Sequence, residues 1–279
     1  MHSNKPNPSD SKALRLVVVI IVCAIPTSCG GNPDTGILQT APERETDPVD
    51  KLGPHDDNEQ HRQRRTQMVE QQLAARDIVD QRVLDAMNRV ARHQFVAKSS
   101  QSTAYVDSPL PIGHGQTISQ PYIVALMTQL VQPTRQAKAL DIGTGSGYQA
   151  AVLAELVKDV YSIEILEPLA EEARTRLDSL GYNNIHVRYG DGYRGWPEEA
   201  PFDVIVVAAA PDHVPEALVE QLAPGGRLVI PVGRFYQNLL VIERAEDGTV
   251  SQRNIAPVAF VPMTGEAQDR PTVSRHQEE

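Results

Sequence analysis

The stretch DIGTGSGY, residues 141–148, joins a short apolar run, AKALDI (137–142), to a helix-forming one, YQAAVLAELV (148–157). Gly143, Gly145 and Gly147 allow a tight turn and close approach of a ligand to the backbone. Downstream the same alternation continues. VYSIE (160–164) reads as a strand. EPLAEEARTRLDSL (167–180) reads as an amphipathic helix capped by Gly181. IHVRYGD (185–191) is a strand, and FDVIVVAAA (202–210) is nearly unbroken in apolar residues, as a strand buried on both faces should be. PEALVEQL (215–222) is a helix opening with proline, and GRLVIPV, LLVIER and VAFVPM are closing strands. Strand–helix alternation predicts an α/β fold, Rossmann-like, with a mostly parallel sheet and helices on both faces. Ligands of such sheets bind at the carboxyl ends of the strands.

Upstream, Val83, Leu84, Met87 and Val90 share one helical face, and Ile123, Leu126, Met127 and Leu130 repeat the period over residues 121–131. Pro121 sits early in that second helix, where its missing N–H is harmless, and Ser119 falls near its N-cap. The polar loop LPIGHGQTISQP (110–121) precedes it. The folded domain is expected over 62–264: an N-terminal helical and substrate-loop part (62–133) and a Rossmann-like core (134–264).

The flanks read differently. Lys5, Lys12 and Arg15 precede an apolar run from Leu16 to Ile25, followed by PTSCGGN. This is a secretory signal pattern, too short for the ~20 apolar residues of a membrane span. Ser28-Cys29-Gly30 makes residues 1–29 signal- or lipobox-like, with Cys29 the lipidation candidate; Pro26 departs from the leucine usual there. A later start, for instance at Met68, is the other reading. Residues 30–61 are poor in large apolar groups and read as a disordered tether, and 265–279 as a disordered tail.

The formal net charge is -10 and no long basic run is present, so a nucleic-acid partner is not expected. HRQRR (61–65) reads as a solvated helix start. The two cysteines, Cys23 and Cys29, lie ahead of the folded part. That part therefore has no disulfide, thiolate nucleophile or cysteine metal site. No HExxH spacing occurs and no metal is expected.

Three cofactors compete for the glycine loop. A nucleoside-triphosphate loop needs Lys-Ser/Thr after its last glycine, and Tyr148-Gln149 follows here. A dinucleotide loop is GxGxxG, and its pyrophosphate would be repelled by the adjacent Asp141. S-adenosylmethionine carries a sulfonium and an ammonium, which an acidic loop suits. Asp141, Gly143, Thr144, Gly145, Ser146 and Gly147 are the candidate cofactor-binding residues of that loop. Glu164 ends the next strand, where a carboxylate can accept ribose hydroxyl hydrogens. Asp191 and Gly192 follow the third strand, toward the adenine.

Together, LPIGHGQTISQP, DIGTGSGYQ, GDGYRGW, FDVIVVAAAP and LAPGGRLVIPVG resemble the protein-L-isoaspartate (D-aspartate) O-methyltransferase family, from about Met68 to Met263. The resemblance implies an S-adenosylmethionine-dependent methyltransferase fold. It implies methyl transfer to the free carboxylate of L-isoaspartyl or D-aspartyl residues in damaged proteins. The ester then closes to a succinimide that can reopen to aspartate. It makes Ser119 the active-site serine. His114, where many members carry glutamine, and the VAAAP segment, where VTAAP is common, depart from the pattern.

The chemistry fits the residues. A carboxylate with an unperturbed pKa of ~4 is already a nucleophile at neutral pH and needs no general base. Alignment is the main demand on the protein. Ser119 would orient the acceptor carboxylate, and Gln116, Thr117 and Gln120 would read the extended peptide. His114 reads as an exposed loop residue, His213 is unassigned, and Tyr193 and Trp196 read as core or rim. Isoaspartyl peptides and proteins are thus the expected partners of a monomer. The expected location is cytoplasmic, where the cofactor is made, with an exported form anchored at Cys29 as the alternative. The rivals are a methyltransferase with another acceptor and a non-catalytic exported protein of the same fold.

Overall fold

The computed structural model describes residues 57–269. The signal-like segment, Cys29, the tether up to residue 56 and the tail beyond 269 lie outside the described residues. Helix α1 (Glu59–Met68) begins inside the segment read as tether. Asn58 caps it, its side chain accepting from His61 N at 2.9 Å. A π-helical turn, Val69–Ala74, extends it, and α2 (Gln81–Arg89) follows with Asp80 as cap. Val83, Leu84 and Met87 are buried on α2, as their spacing requires. The polar loop forms a hairpin, β1 (Leu110–Gly113) and β2 (Gln116–Ile118), leading into α3 (Pro121–Leu130). On α3 the fully buried residues include Val124, Ala125 and Met127, whereas Ile123 and Leu130 are half-buried.

The core alternates from there: β3 (Lys138–Ile142), α4 (Tyr148–Ala154), β4 (Asp159–Glu164), α5 (Glu167–Ser179), β5 (Ile185–Tyr189), β6 (Phe202–Val207), α6 (Glu216–Glu220), β7 (Leu222–Val232), β8 (Gln237–Arg244) and β9 (Val250–Val258). A short α7 (Glu266–Asp269) closes the described chain within the expected tail, with Ala267 buried. Gly181, at φ +81°, ends α5 by donating to Asp178 O, while Tyr182 N donates to Leu177 O. That paired pattern satisfies two carbonyls the helix end would leave open.

The sheet order is β5-β4-β3-β6-β7-β8-β9, parallel from β5 to β7 and antiparallel beyond. Successive residues of its central strands enter opposite layers. Ala139, Val204 and Val206 pack on the side of α2, α3 and α4, and Leu140, Ile205 and Val207 on the side of α6 and α7. The chain order reverses between β3 and β6, which leaves a crevice at the carboxyl ends of those strands.

One expected strand is corrected. VAFVPM is not the last strand; β9 is Val250–Val258, and residues after it run along Ala210. Ala210 N donates to Val261 O and Met263 N to Ala210 O, both at 2.8 Å. The apolar character of Val261 and Met263 serves that docking rather than a strand. Among the described residues no helix is long and apolar enough to cross a membrane.

Candidate active site

The turn after β3 is locked to the end of β4. Gly143 N and Thr144 N both donate to Ile163 O, at 2.9 and 3.2 Å. Gly145, at φ +53°, turns its N–H to Glu164 Oε2 at 2.8 Å and lies against Ile112 of the hairpin. The other oxygen of Glu164 accepts from Leu166 N at 3.0 Å. A carboxylate has about four acceptor positions, so two remain for a ligand. Gly192 packs over the end of β3: a Cβ there would stand 2.3 Å from Ile142 Cγ2.

Behind the turn runs a buried polar chain. Ser162 Oγ donates to Asp141 Oδ2 at 2.7 Å and lies 2.6 Å from Thr144 Oγ1. Asp141 is fully buried and its Oδ1 has no hydrogen-bond partner among the described residues. Burial pushes its carboxyl up to about 7; the Ser162 hydrogen bond opposes this and the Glu164 charge adds to it.

These elements enclose a cavity of about 850 Å³, its open mouth included. Gly143, Thr144, Gly145, Ser146, Glu164 and Gly192 line one part, and Gln116, Thr117 and Ser119 another. Asp141, Gly147, Asp191 and Gln120 do not line it. Asp191 is a backbone anchor: Oδ1 accepts from Tyr193 N and Oδ2 from Glu266 N, both at 2.9 Å. It thereby ties the turn after β5 to the start of α7.

Ser119 does not cap α3. The cap position is Gln120, which makes no side-chain cap bond. Asp107 does this work from a distance, its Oδ1 accepting from Tyr122 N at 2.9 Å. Its Oδ2 accepts from Gln120 Nε2 at 2.8 Å and pairs with Arg76 at 3.0 Å. Asp107 thus fixes the segment bearing Ser119, a role no motif around it signals. Also unforeseen on the lining are Ala208, Ala209 and Val261–Thr264. Their signal was available for Ala208 and Ala209, which directly follow a strand at the reversal of strand order.

His114 is exposed at φ +51° in the hairpin turn, 3.5 Å from Glu172. His213 bonds Tyr193 Oη at 2.7 Å and also Asp212, off the cavity. Tyr193 is buried in the core, and Trp196 packs on Tyr161 and Arg188.

Among the described residues the lining contains one carboxylate, Glu164, and no Lys, Arg or His. Glu164 is placed to accept ribose hydroxyls and to face a ligand of positive charge. The glycine-built backbone beside that carboxylate fits S-adenosylmethionine on that ground.

The sequence profile of the family described as Protein-L-isoaspartate(D-aspartate) O-methyltransferase (PCMT) matches residues 63–268. A protein-L-isoaspartate O-methyltransferase 2 of Polaromonas sp. is 57% identical over 190 residues, 67% of this chain and 90% of the relative. One of the same name from Shewanella sediminis is 56% identical over 217 residues, 77% of this chain and 88% of the relative. A solved protein-L-isoaspartate O-methyltransferase superposes with a TM-score of 0.67 at 28% identity, covering 74% of this chain and 67% of that one. A Plasmodium falciparum structure assigned to the same activity, in complex with S-adenosyl-L-homocysteine, gives 0.63 at 26% identity, over 72% and 98% of the two chains. By extent of match and by fold, the chain belongs to the protein-L-isoaspartate (D-aspartate) O-methyltransferase family.

Proposed function

We propose that this chain transfers a methyl group from S-adenosylmethionine to the free carboxylate of L-isoaspartyl or D-aspartyl residues in damaged proteins, initiating their repair. The observation that carries the reading is one cavity with two unlike walls. Acidic, glycine-built backbone from β3 and β4 faces the polar β2 segment that ends in Ser119.

Each wall has its task. Glu164 holds the ribose hydroxyls, and Gly143–Ser146 and Gly192 give the backbone surface on which the cofactor lies. Asp141 and Ser162 hold Thr144 from behind. Bound there, the cofactor supplies an electrophilic methyl group. Ser119 donates a hydrogen bond to the acceptor carboxylate and orients it, while Gln116 and Thr117 hold the peptide backbone. Gln120 acts one step back, through its bond to Asp107. No residue has to remove a proton, because the acceptor is ionised at working pH with a pKa of ~4. The chain's contribution is alignment and exclusion of water.

The same reading puts the active protein where S-adenosylmethionine is made, in the cytoplasm, as a monomer that meets damaged polypeptides. An exported form anchored through Cys29 is the competing address. Incubating an isoaspartyl peptide with the chain and S-adenosylmethionine, and following its isomers by chromatography, tests the activity. Conversion through the succinimide to the aspartyl peptide is expected. An isoaspartyl peptide left unchanged while the cofactor binds contradicts the acceptor assignment.

A further inference from the structure

The two most exposed large apolar side chains among the described residues are neighbours: Phe235 is 93% and Tyr236 92% exposed. Burial of either ring against a partner would remove that apolar surface from water. Together they form the tip of the turn between β7 and β8. β7 runs parallel to β6, so its carboxyl end lies on the edge of the sheet where the cavity opens.

Both feet of this turn are tied to the cavity wall. Gly233 N donates to Pro211 O at 2.9 Å, and Pro211 stands two positions after the lining residue Ala209. Gln237 clamps Phe260 from both sides: Nε2 donates to its O at 3.0 Å and Oε1 accepts from its N at 2.6 Å. Val261, the next residue, lines the cavity. The turn itself is tight: at Gly233, φ +134°, a Cβ would lie 2.1 Å from Tyr236 O. The aromatic pair is therefore held on a fixed support.

Its place along the sheet selects its ligand. Glu164 ends β4 and Gly192 follows β5, which puts the cofactor's nucleoside on the β3–β5 side. The turn rises beyond β6, across the crevice from Glu164, and both its feet are tied next to cavity-lining residues. We infer that Phe235 and Tyr236 are a docking platform for the polypeptide flanking the acceptor residue. Flat aromatic rings offer contact area with little side-chain entropy to lose and without reading a particular sequence. An enzyme that acts on damage at arbitrary positions needs such contact. The inference rests on the proposed methyl transfer.

The test compares the full chain with a Phe235→Ser/Tyr236→Ser variant on two acceptors: a minimal blocked isoaspartyl residue and a long peptide carrying it at its centre. The KM for the long peptide is expected to rise about tenfold, the scale of losing two interface aromatics. The KM for the minimal acceptor and the affinity for S-adenosylhomocysteine should hold, which also reports an intact fold. An unchanged long-peptide KM overturns the platform and leaves the transfer reading standing. An equal rise for both acceptors also overturns it, since the change then acts inside the cavity. If the unmodified chain methylates neither acceptor, the transfer reading fails and the platform with it. Loss of binding to anionic phospholipid vesicles with unchanged KM assigns the pair to a lipid surface instead.

Discussion

Asp141 and Glu164 stand at the ends of adjoining strands, and their surroundings treat them differently. Glu164 is held by two backbone N–H groups. Asp141 is fully buried with one hydroxyl partner, and burial pushes it up to about 7. Unfolded, such a carboxyl titrates near ~3.9. Below that pH both states hold the proton and Asp141 contributes no pH dependence. Between there and about 7 the folded chain keeps a proton that the unfolded chain has lost, so its contribution to stability falls as pH rises. The difference in melting temperature between the unmodified chain and Asp141→Asn should therefore drop from about pH 4 to about pH 8 and then level. A difference independent of pH contradicts the raised value. Ser119→Ala should lower kcat about ten- to a hundredfold, the worth of one hydrogen bond to a charged group. Affinity for S-adenosylhomocysteine should hold; equal loss of both removes the orienting role. Glu164→Ala should weaken that affinity about tenfold or more, measured by calorimetry, and unchanged binding sinks the ribose assignment. Glu164 and the glycine turn were legible because they sit at strand ends in a readable order. The anchoring of Asp191 was not legible, because one of its two backbone partners, Glu266 N, lies far along the chain.

Among the elements, the β1–β2 hairpin and the start of α3 owe their arrangement to Asp107, which joins Arg76, Gln120 and Tyr122 N. Asp107→Ala should cost about 1 kcal/mol as a lost cap, or about 2–4 °C of melting temperature. It should also raise the KM for the acceptor. Asp107→Asn, still able to accept from Tyr122 N, should recover most of the stability. A lowered melting temperature with unchanged KM would make Asp107 a cap only. Such a residue escapes sequence reading because its partners lie thirteen or more positions away and are fixed by tertiary structure. The central strands were legible for the opposite reason. Burial on both faces writes itself as an apolar run. β9 was not: its residues are mostly exposed or half-buried at the sheet edge, so VSQRNIAPV carries no alternation to read. Pro257 is tolerated there as edge strands allow.

At the scale of the whole molecule, the order β5-β4-β3-β6-β7 brings three separately encoded pieces to one crevice. These are the glycine turn after β3, Glu164 at the end of β4 and the hairpin ahead of α3. An alternation read along the chain placed the ligand at the carboxyl ends of the strands, while the reversal between β3 and β6 that makes the crevice is seen only in the sheet order. VAFVPM was legible as a strand; that residues 261–264 instead close one wall depends on pairing with Ala210. The central claim is that this crevice joins the cofactor's methyl group to an isoaspartyl carboxylate. It is tested most directly by incubating the full chain with S-adenosylmethionine labelled in its methyl group and two matched peptides, one with L-isoaspartate and one with aspartate. Base-labile label on the isoaspartyl peptide alone is the predicted result. Label on both peptides, or on neither while the cofactor binds, would contradict it.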